Sequence, residues 1–235
     1  MQVIRKFRGL ISEFGFWNAV LYTLGLALRA ICPRVFLYRY YIVAQPVPDG
    51  DLLPARRGKS IDVRELSQGD PVFRALPLDD DVLARRFAQD SICLAAFQDG
   101  KVIGCLWMCF DAYEEDEVRC IFRLDPPSQV SWDFDVYLHP DARLGFAFLR
   151  LWDAANALLR ARGISWSLSR ISGFNPGSMA SHSRMGATRV GGLIAVKGPK
   201  RQLVFSSYTP FVSFRRLDRP LPEYAVSAPR NAETR

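Results

Sequence analysis

Apolar residues follow strand-like and helix-like patterns in a regular order between residues 60 and 209. Alternation over 61–66 predicts a strand. Apolar residues at helical spacing, with acidic residues in the first turn, predict a helix over 79–90. Two apolar strands then meet at Asp99-Gly100, a dipeptide that favours a tight turn, so a hairpin is predicted there.

The second half of this region predicts a strand–helix–strand crossover. A strand over 131–140 precedes a helix over 145–162, whose apolar residues form one stripe and which ends at Gly163. A strand, a short helix after Asn175 and two closing strands follow. This order predicts an α+β fold, in which a mostly antiparallel sheet carries helices on both faces.

An apolar segment precedes this region. Residues 14–28 carry no charge and follow Arg5, Lys6 and Arg8. The run is shorter than the ~20 residues with which a helix crosses a bilayer. Residues 1–48 are therefore predicted to form an apolar helical segment that lies on an anionic membrane surface, with aromatic side chains at headgroup level. A helix packed on the domain or in a homodimer interface is the alternative.

Proline and glycine mark the borders of the regular region. Three prolines and two glycines lie between residues 45 and 59 and break the pattern. The compact domain is therefore predicted to cover 60–209. Residues 210–235 lack apolar periodicity and are predicted to form a loose tail.

Charge and cysteine content narrow the class of protein. The net charge of +7 favours anionic partners. Nucleic acid is not expected, because the positive charges are scattered and no aromatic–basic recognition motif is present. The cysteines are odd in number and lack metal-ligand spacing, so they are predicted to be buried, reduced thiols of a cytoplasmic protein. No metal is implied.

Two local motifs carry candidate chemistry. The first is the loop before the long helix, Ala142-Arg143-Leu144-Gly145-Phe146-Ala147. Small residues where a helix begins let an anion approach the backbone N–H groups, and an arginine adds positive charge. The second motif lies in the short helix and consists of Asn175, Ser178, His182 and Gly186.

Together with the order of elements over 60–209, these motifs resemble the GNAT superfamily of acyl-coenzyme A-dependent N-acyltransferases. The family's coenzyme A (CoA) loop reads Gln/Arg-x-x-Gly-x-Gly/Ala, so Gly145 and Ala147 match. Ala142 replaces the opening Gln/Arg, and Arg143 follows it. All four residues of the second motif match, whereas Ala187 stands where the family usually has an aromatic residue.

The resemblance implies an acyl-CoA co-substrate and a set of residues that bind it. The pyrophosphate would lie at Arg143, Leu144, Gly145, Phe146 and Ala147. Backbone groups of Val136 and Leu138 would pair with the pantetheine amides, and Asn175 would contact the same arm.

Acyl transfer to an amine needs a proton donor for the leaving thiolate and a base for the ammonium group. His182 stands at the family's acid position, and imidazole titrates near neutral pH. Asp133 and Asp135 alternate along one strand face and are both candidates for the base. An acidic run over 114–117 could attract a cationic amine, or could be a solvated hairpin tip.

The membrane-seeking segment predicts a lipid-like primary amine as the acceptor. Some bacterial ceramide synthases, which acylate sphingoid bases, resemble GNAT enzymes of this plan. We therefore expect a cytoplasmic enzyme held peripherally on the inner face of the membrane. Two alternatives remain open: N-acetylation of an aminosugar or other small polar amine, and a non-catalytic domain that binds CoA or a partner protein.

Overall fold

The computed structural model describes residues 2–229. These residues form a mixed α/β structure with a large, mostly antiparallel sheet and five α-helices. The helices are α1 (Gln2–Phe14), α2 (Phe16–Ile31), α3 (Asp80–Phe87), α4 (Ala147–Ala161) and α5 (Pro176–Arg184). The strands are β1 (Phe36–Pro46), β2 (Ile61–Leu66), β3 (Ile92–Gln98), β4 (Lys101–Cys109), β5 (Ala112–Glu114), β6 (Ile121–Leu124), β7 (Val130–Leu138), β8 (Trp166–Ser172), β9 (Thr188–Lys197), β10 (Arg201–Ser206), β11 (Val212–Arg216) and β12 (Glu223–Val226).

The chain divides into two compact units. The terminal unit comprises the described parts of 1–45, 114–123 and 168–235, and the central unit comprises 46–113 and 124–167. The N-terminal and C-terminal thirds of the chain therefore contribute to one unit, a division that the sequence pattern did not predict.

The central unit contains the elements that the apolar pattern predicted most directly. Its strands follow the order β7-β4-β3-β2, and each neighbouring pair is antiparallel. The predicted turn joins β3 to β4, where Asp99 and Gly100 both have positive φ angles (51° and 73°). The predicted stripe of α4 is buried, including Leu151, Trp152 and Leu159.

Residues 47–60 form an ordered strap along α4. The backbone N–H of Leu52 donates to Oδ1 of Asp153 at 2.6 Å. Gly58 has a φ of +68°, and a Cβ there would lie 2.9 Å from Cγ of Arg150. Proline and glycine interrupt regular structure in this segment, as its sequence indicated, but they shape a packed segment and not a free linker.

The terminal unit corrects the expectation for the N-terminal segment. Its strand order is β11-β10-β9-β1-β8, so β1 has a partner on each side. β1 pairs with β9 in antiparallel register, from Phe36 opposite Lys197 to Ala44 opposite Thr188. Residues 36–46, which were predicted to belong to a helical segment, are a sheet strand, because their β-branched and aromatic residues suit a pleated, buried position.

The helices α1 and α2 pack on the same unit. Nδ2 of Asn18 donates to the hydroxyl of Tyr41 at 2.9 Å. The ring of Phe174 lies 6.2 Å from the ring of Phe14 and 5.3 Å from that of Tyr22. Within residues 2–229, no helix has both the length and the apolar character needed to cross a membrane.

Part of the predicted loose tail is ordered. β11 pairs with β10, and β12 lies beside β6, where Arg123 and Glu223 form an ion pair (2.5 Å). Tyr224 and Val226 of β12 are buried, so side chains of this short strand alternate between core and solvent. Such short strands carry too few periodic residues for the pattern to predict. Residues 230–235 of the tail lie outside the described part.

Most of the cysteines are buried, as their apolar surroundings predicted. Cys93, Cys105, Cys109 and Cys120 lie in the interior as free thiols. Cys32, directly after α2, is exposed and corrects the expectation for that position.

Candidate functional site

The turn between β7 and α4 is the candidate anion site of the central unit. A short 3-10 helix covers Pro140–Ala142. The N–H of Gly145 then donates to the carbonyl of Ala142 at 3.2 Å, and α4 begins at Ala147. The first N–H groups of a helix lack intrahelical partners and carry partial positive charge. The first turn of α4 contains no acidic residue, whereas the 3-10 turn before it contains the exposed Asp141.

Three arginines lie near this helix start, each against a different neighbouring segment. Nε of Arg143 donates to the carbonyl of Leu138 at 3.4 Å, which holds the side chain beside the end of β7. The guanidinium of Arg57 lies 5.7 Å from the ring centroid of Phe146. Arg150, one turn into α4, packs against the strap at Gly58. The arrangement could hold a multiply charged phosphate ligand.

Arg57 was not predicted as a site residue, because the prolines and glycines of its segment indicated a border of the domain. The signal that could have found it is the run Arg56-Arg57-Gly58-Lys59, a basic cluster around a glycine. The strap brings this run beside the loop over 142–147, which is far away in sequence.

The predicted CoA-loop residues differ in exposure. Leu144 is fully exposed, Phe146 is partly exposed and Ala147 is buried. A Cβ added at Gly145 would lie 3.5 Å from the carbonyl oxygen of Ala142, an ordinary contact. The backbone therefore tolerates a side chain there, and the open space beside Gly145 remains available to a ligand.

Val136 and Leu138 occupy the last part of β7. Both are half-buried, and β7 pairs there with β4, where Leu106 and Gly104 are the opposing residues. A Cβ at Gly104 would lie 2.7 Å from a side-chain carbon of Leu138, so glycine permits the close approach of the two strands.

The two candidate bases on β7 have different surroundings. Asp133 is buried, and its Oδ1 accepts a hydrogen bond from the Ser167 hydroxyl at 2.7 Å. Asp135 is partly exposed and forms an ion pair with Arg86 of α3 at 2.8 Å. Each carboxylate therefore already has a partner, which the alternation along the strand could not indicate.

His182 and Asn175 lie in the terminal unit. Oδ1 of Asn175 accepts a hydrogen bond from the N–H of Ser178 at 3.0 Å and so caps α5. His182 is only 6% exposed, and its Nδ1 lies 3.1 Å from Oε1 of Gln45. The imidazole and the amide therefore form a buried hydrogen-bonded pair, in which the donor depends on the tautomer of the ring.

Gln45 was not identified from the sequence as a functional residue. It is 2% exposed at the end of β1, where a polar side chain follows the apolar run "YYIVA". A buried amide needs a hydrogen-bond partner, and this need was the available signal.

A buried ionic cluster occupies another part of the terminal unit. Glu115 is fully buried, and its Oε2 lies 2.9 Å from Nε of Arg170. Arg170 also pairs with Glu117 at 3.1 Å, and the hydroxyl of Tyr40 donates to Glu117 at 2.7 Å. Burial raises the pKa of Glu115, although Arg170 opposes this shift. The acidic run is thus not a solvated hairpin tip at this position.

Metal-ligating residues do not cluster in the described part of the chain. Among residues 2–229, no group of three or more His, Cys, Asp and Glu side chains could hold a metal ion.

Comparison with known proteins gives similarity to solved structures only. No protein-family profile and no curated protein sequence matches the chain. One similar structure is the aminoglycoside N-acetyltransferase AAC(6')-Iy in complex with CoA, with 19% identity over 57% of this chain and 91% of that one (TM-score 0.43). Another is a tandem GNAT protein from the clavulanic acid biosynthesis pathway, with 13% identity over 70% and 55% of the two chains (TM-score 0.45).

A third similar structure is a functionally unknown conserved protein from Staphylococcus epidermidis ATCC 12228. Its sequence identity is 11%, and the alignment covers 71% of this chain and 64% of that one, with a TM-score of 0.48.

Proposed function

We propose that the protein is an acyl-CoA-dependent N-acyltransferase of the GNAT type. The observation that carries this proposal is the start of α4, where a helix has no acidic residue in its first turn and Arg57, Arg143 and Arg150 lie nearby. The pyrophosphate and the 3′-phosphate of CoA are the kind of multiply charged ligand that such a site favours. The motif resemblance of the loop over 142–147 independently points to the same cofactor.

The proposed reaction forms an amide by direct attack of a primary amine on the thioester carbonyl. The C–N bond forms, the C–S bond breaks, and CoA leaves as the thiol. By the motif resemblance, His182 is the candidate that supplies the proton to the sulfur, and Gln45 is its hydrogen-bond partner in the terminal unit. Asp133 and Asp135 are the two candidates to accept the proton from the ammonium group.

The proposed acceptor is a lipid-like primary amine at an anionic membrane surface on the cytoplasmic side. Support comes from the N-terminal helices, where Trp17 is 75% exposed and Ile31 is 84% exposed. Arg5, Lys6 and Arg8 are exposed on α1 and add positive charge to this surface. Exposed apolar side chains next to basic residues are typical of helices that lie on a membrane.

The first test measures CoA binding. The Gly145→Val variant should fold normally but fill the space that the phosphates approach, so calorimetry should detect at least about tenfold weaker binding of a CoA thioester. The matched control is Gly50→Val, because Gly50 lies in the strap with open space around it. Equal affinity in wild type and Gly145→Val would overturn the assignment of the CoA site.

The second test identifies the acceptor. Thiol release from an acyl-CoA is measured with a long-chain amine in anionic vesicles, with an aminosugar, and without an acceptor. Faster release with the long-chain amine, slowed by Trp17→Ser with Ile31→Ser, is the expected result. Preference for the aminosugar would identify the polar-amine alternative, and CoA binding without release would identify a non-catalytic domain.

A further inference from the structure

The sheet face on which α2 packs continues beyond the helix as an exposed surface. A Cβ at Gly25 of α2 would lie 3.3 Å from Cβ of Leu37, so Leu37 faces the helix. Strand pairing leads from Leu37 to Val196, then to Leu203 and to Phe214. Directly opposed residues share a face of the sheet. Leu37 is half-buried, whereas Phe214 at the far end is 62% exposed.

The next row of opposed residues also becomes more exposed from β1 towards β11. Arg39, Ile194, Phe205 and Val212 are opposed in sequence across β1, β9, β10 and β11. Phe205 and Val212 are exposed. We refer to Phe205, Val212 and Phe214 as the hairpin face. Soluble proteins rarely expose several large apolar side chains side by side, so this face needs an occupant.

A basic pocket lies beside the hairpin face. It has a volume of about 430 Å³ and is lined by Pro199, Lys200, Arg201, Arg216, Leu217 and Asp218. The guanidinium of Arg201 lies 5.5 Å from the ring centroid of Phe214, so the pocket and the hairpin face adjoin.

The positive charge of this pocket is only partly compensated. Asp218 accepts two hydrogen bonds from Arg216, at 3.1 and 2.7 Å. Neither Lys200 nor Arg201 forms an ion pair with any residue of the described range 2–229. Their charges therefore remain available to a ligand.

We propose that the hairpin face and the basic pocket bind an anionic phospholipid of the membrane surface. The aromatic side chains would enter the headgroup–acyl boundary, and Lys200 with Arg201 would take the lipid phosphate. Charge complementarity favours this occupant. Residues 199–220 include five basic residues and one acidic residue, a net charge of +4. A second copy of the chain on this face would bring two such positive surfaces together.

This inference rests on the proposed function and deepens it. The hairpin face of β10 and β11 would be a second contact with the membrane that contains the acceptor. The sequence pattern predicted membrane contact for residues 1–48 alone. The hairpin face shares its side of the sheet with α2, so both elements of the terminal unit can meet one membrane surface.

The test uses the full-length protein and co-sedimentation with vesicles of phosphatidylcholine, with and without phosphatidylserine. Phe205→Ser with Phe214→Ser should lower the partition coefficient on the mixed vesicles at least about tenfold. Lys200→Gln with Arg201→Gln should lower it about 30-fold on the anionic vesicles and leave binding to the neutral ones unchanged. All four residues lie at the surface or in the pocket, so the variants should keep the wild-type melting temperature.

The matched control is Arg74→Gln with Lys101→Gln, which removes the same charge from exposed positions of the central unit. Its effect on binding to the anionic vesicles should be less than about threefold. Unchanged vesicle binding in the hairpin variants would overturn the proposal. So would sedimentation analysis in which the phenylalanine variant converts a dimer to a monomer while vesicle binding stays the same.

Failure of the proposed function can be distinguished from failure of this inference. It would appear as absent thiol release with every amine, whatever the vesicle binding of the variants.

Discussion

Gln45 is a positioning residue in the proposed chemistry, because its amide oxygen holds Nδ1 of His182 at 3.1 Å. Gln45→Met keeps the approximate side-chain volume and removes the hydrogen-bonding amide. We expect kcat to fall about tenfold, the KM for the thioester to stay constant, and the pH–rate profile to change shape, since the ring loses the hydrogen-bond partner that orients it. Steady-state kinetics across pH provides the measurement.

The control for this prediction is Gln202→Met. Gln202 is also buried in the terminal unit, but it hydrogen-bonds the backbone of Arg119 and not the histidine. Equal kinetic effects of the two substitutions would contradict a positioning role and would indicate that Gln45 contributes only to the structure.

Glu115 gives a prediction about stability and pH. Burial raises its pKa in the folded state, so the folded protein retains its proton to higher pH than the unfolded chain does. Its contribution to stability is therefore complete below the unfolded-state pKa and decreases as pH rises through the folded-state pKa.

The Glu115→Gln variant should lack this dependence. The free energy of unfolding of wild type, relative to the variant, should fall as the pH rises above the ordinary glutamate pKa of about 4.3. Chemical denaturation at several pH values measures both. A difference that is constant with pH, or that grows in favour of wild type, would contradict the expected sign.

At the scale of elements, the strap makes a prediction about Arg57. Its guanidinium stands over Phe146 beside the start of α4, where it can reach a bound phosphate. Arg57→Gln should weaken CoA binding about threefold to tenfold, and the effect should shrink at high salt. Calorimetry at two salt concentrations tests this, with the exposed Arg74→Gln as the control. An equal loss in both variants would assign the effect to net charge alone.

The elements that could be predicted from the sequence are those in which the spacing of apolar residues repeats several times within the element itself. The helix stripe of α4 and the β3–β4 hairpin at Asp99-Gly100 are examples. β1 could not be predicted in this way, because its partners lie far away in sequence and its apolar run adjoins a helix. The packing of the strap could not be predicted for a related reason. Proline and glycine indicate a break in regular structure, but they do not indicate what the segment packs on.

The candidate site was predictable to a similar extent. The motif residues could be named from their spacing, among them Gly145, Asn175 and His182. The partners of the candidate residues could not be named from the sequence. Gln45, Arg57 and Ser167 contact candidate residues only through strand neighbours or tertiary packing. The sequence therefore identified candidate groups, and the structure added the contacts that hold them.

For the whole molecule, the position of β1 predicts the effect of shortening the chain. A protein that begins near Asp49 would lack β1 and leave β8 and β9 without their partner, so it should not fold cooperatively. A protein that begins at Arg34 keeps the strand and should still unfold in one transition, at a lower temperature than wild type. Thermal unfolding followed by near-ultraviolet circular dichroism compares the three chains.

Cooperative unfolding of the chain from Asp49 at the wild-type temperature would contradict this prediction. The comparison also explains why point variants of Trp17 and Ile31 serve better than a truncation for testing membrane contact, since they leave β1 in place.

The central position of β1 also has a consequence for biosynthesis. About 140 residues separate the end of β1 from the start of β9, so at ~5–20 residues per second the strand waits on the order of ten seconds for this partner. During that time its apolar side chains and both backbone edges lack their final neighbours, a state prone to aggregation. α2 leaves the ribosome directly before β1 and packs against it at Leu37. The nascent helix α2 is thus the first element that can cover the apolar side chains of β1.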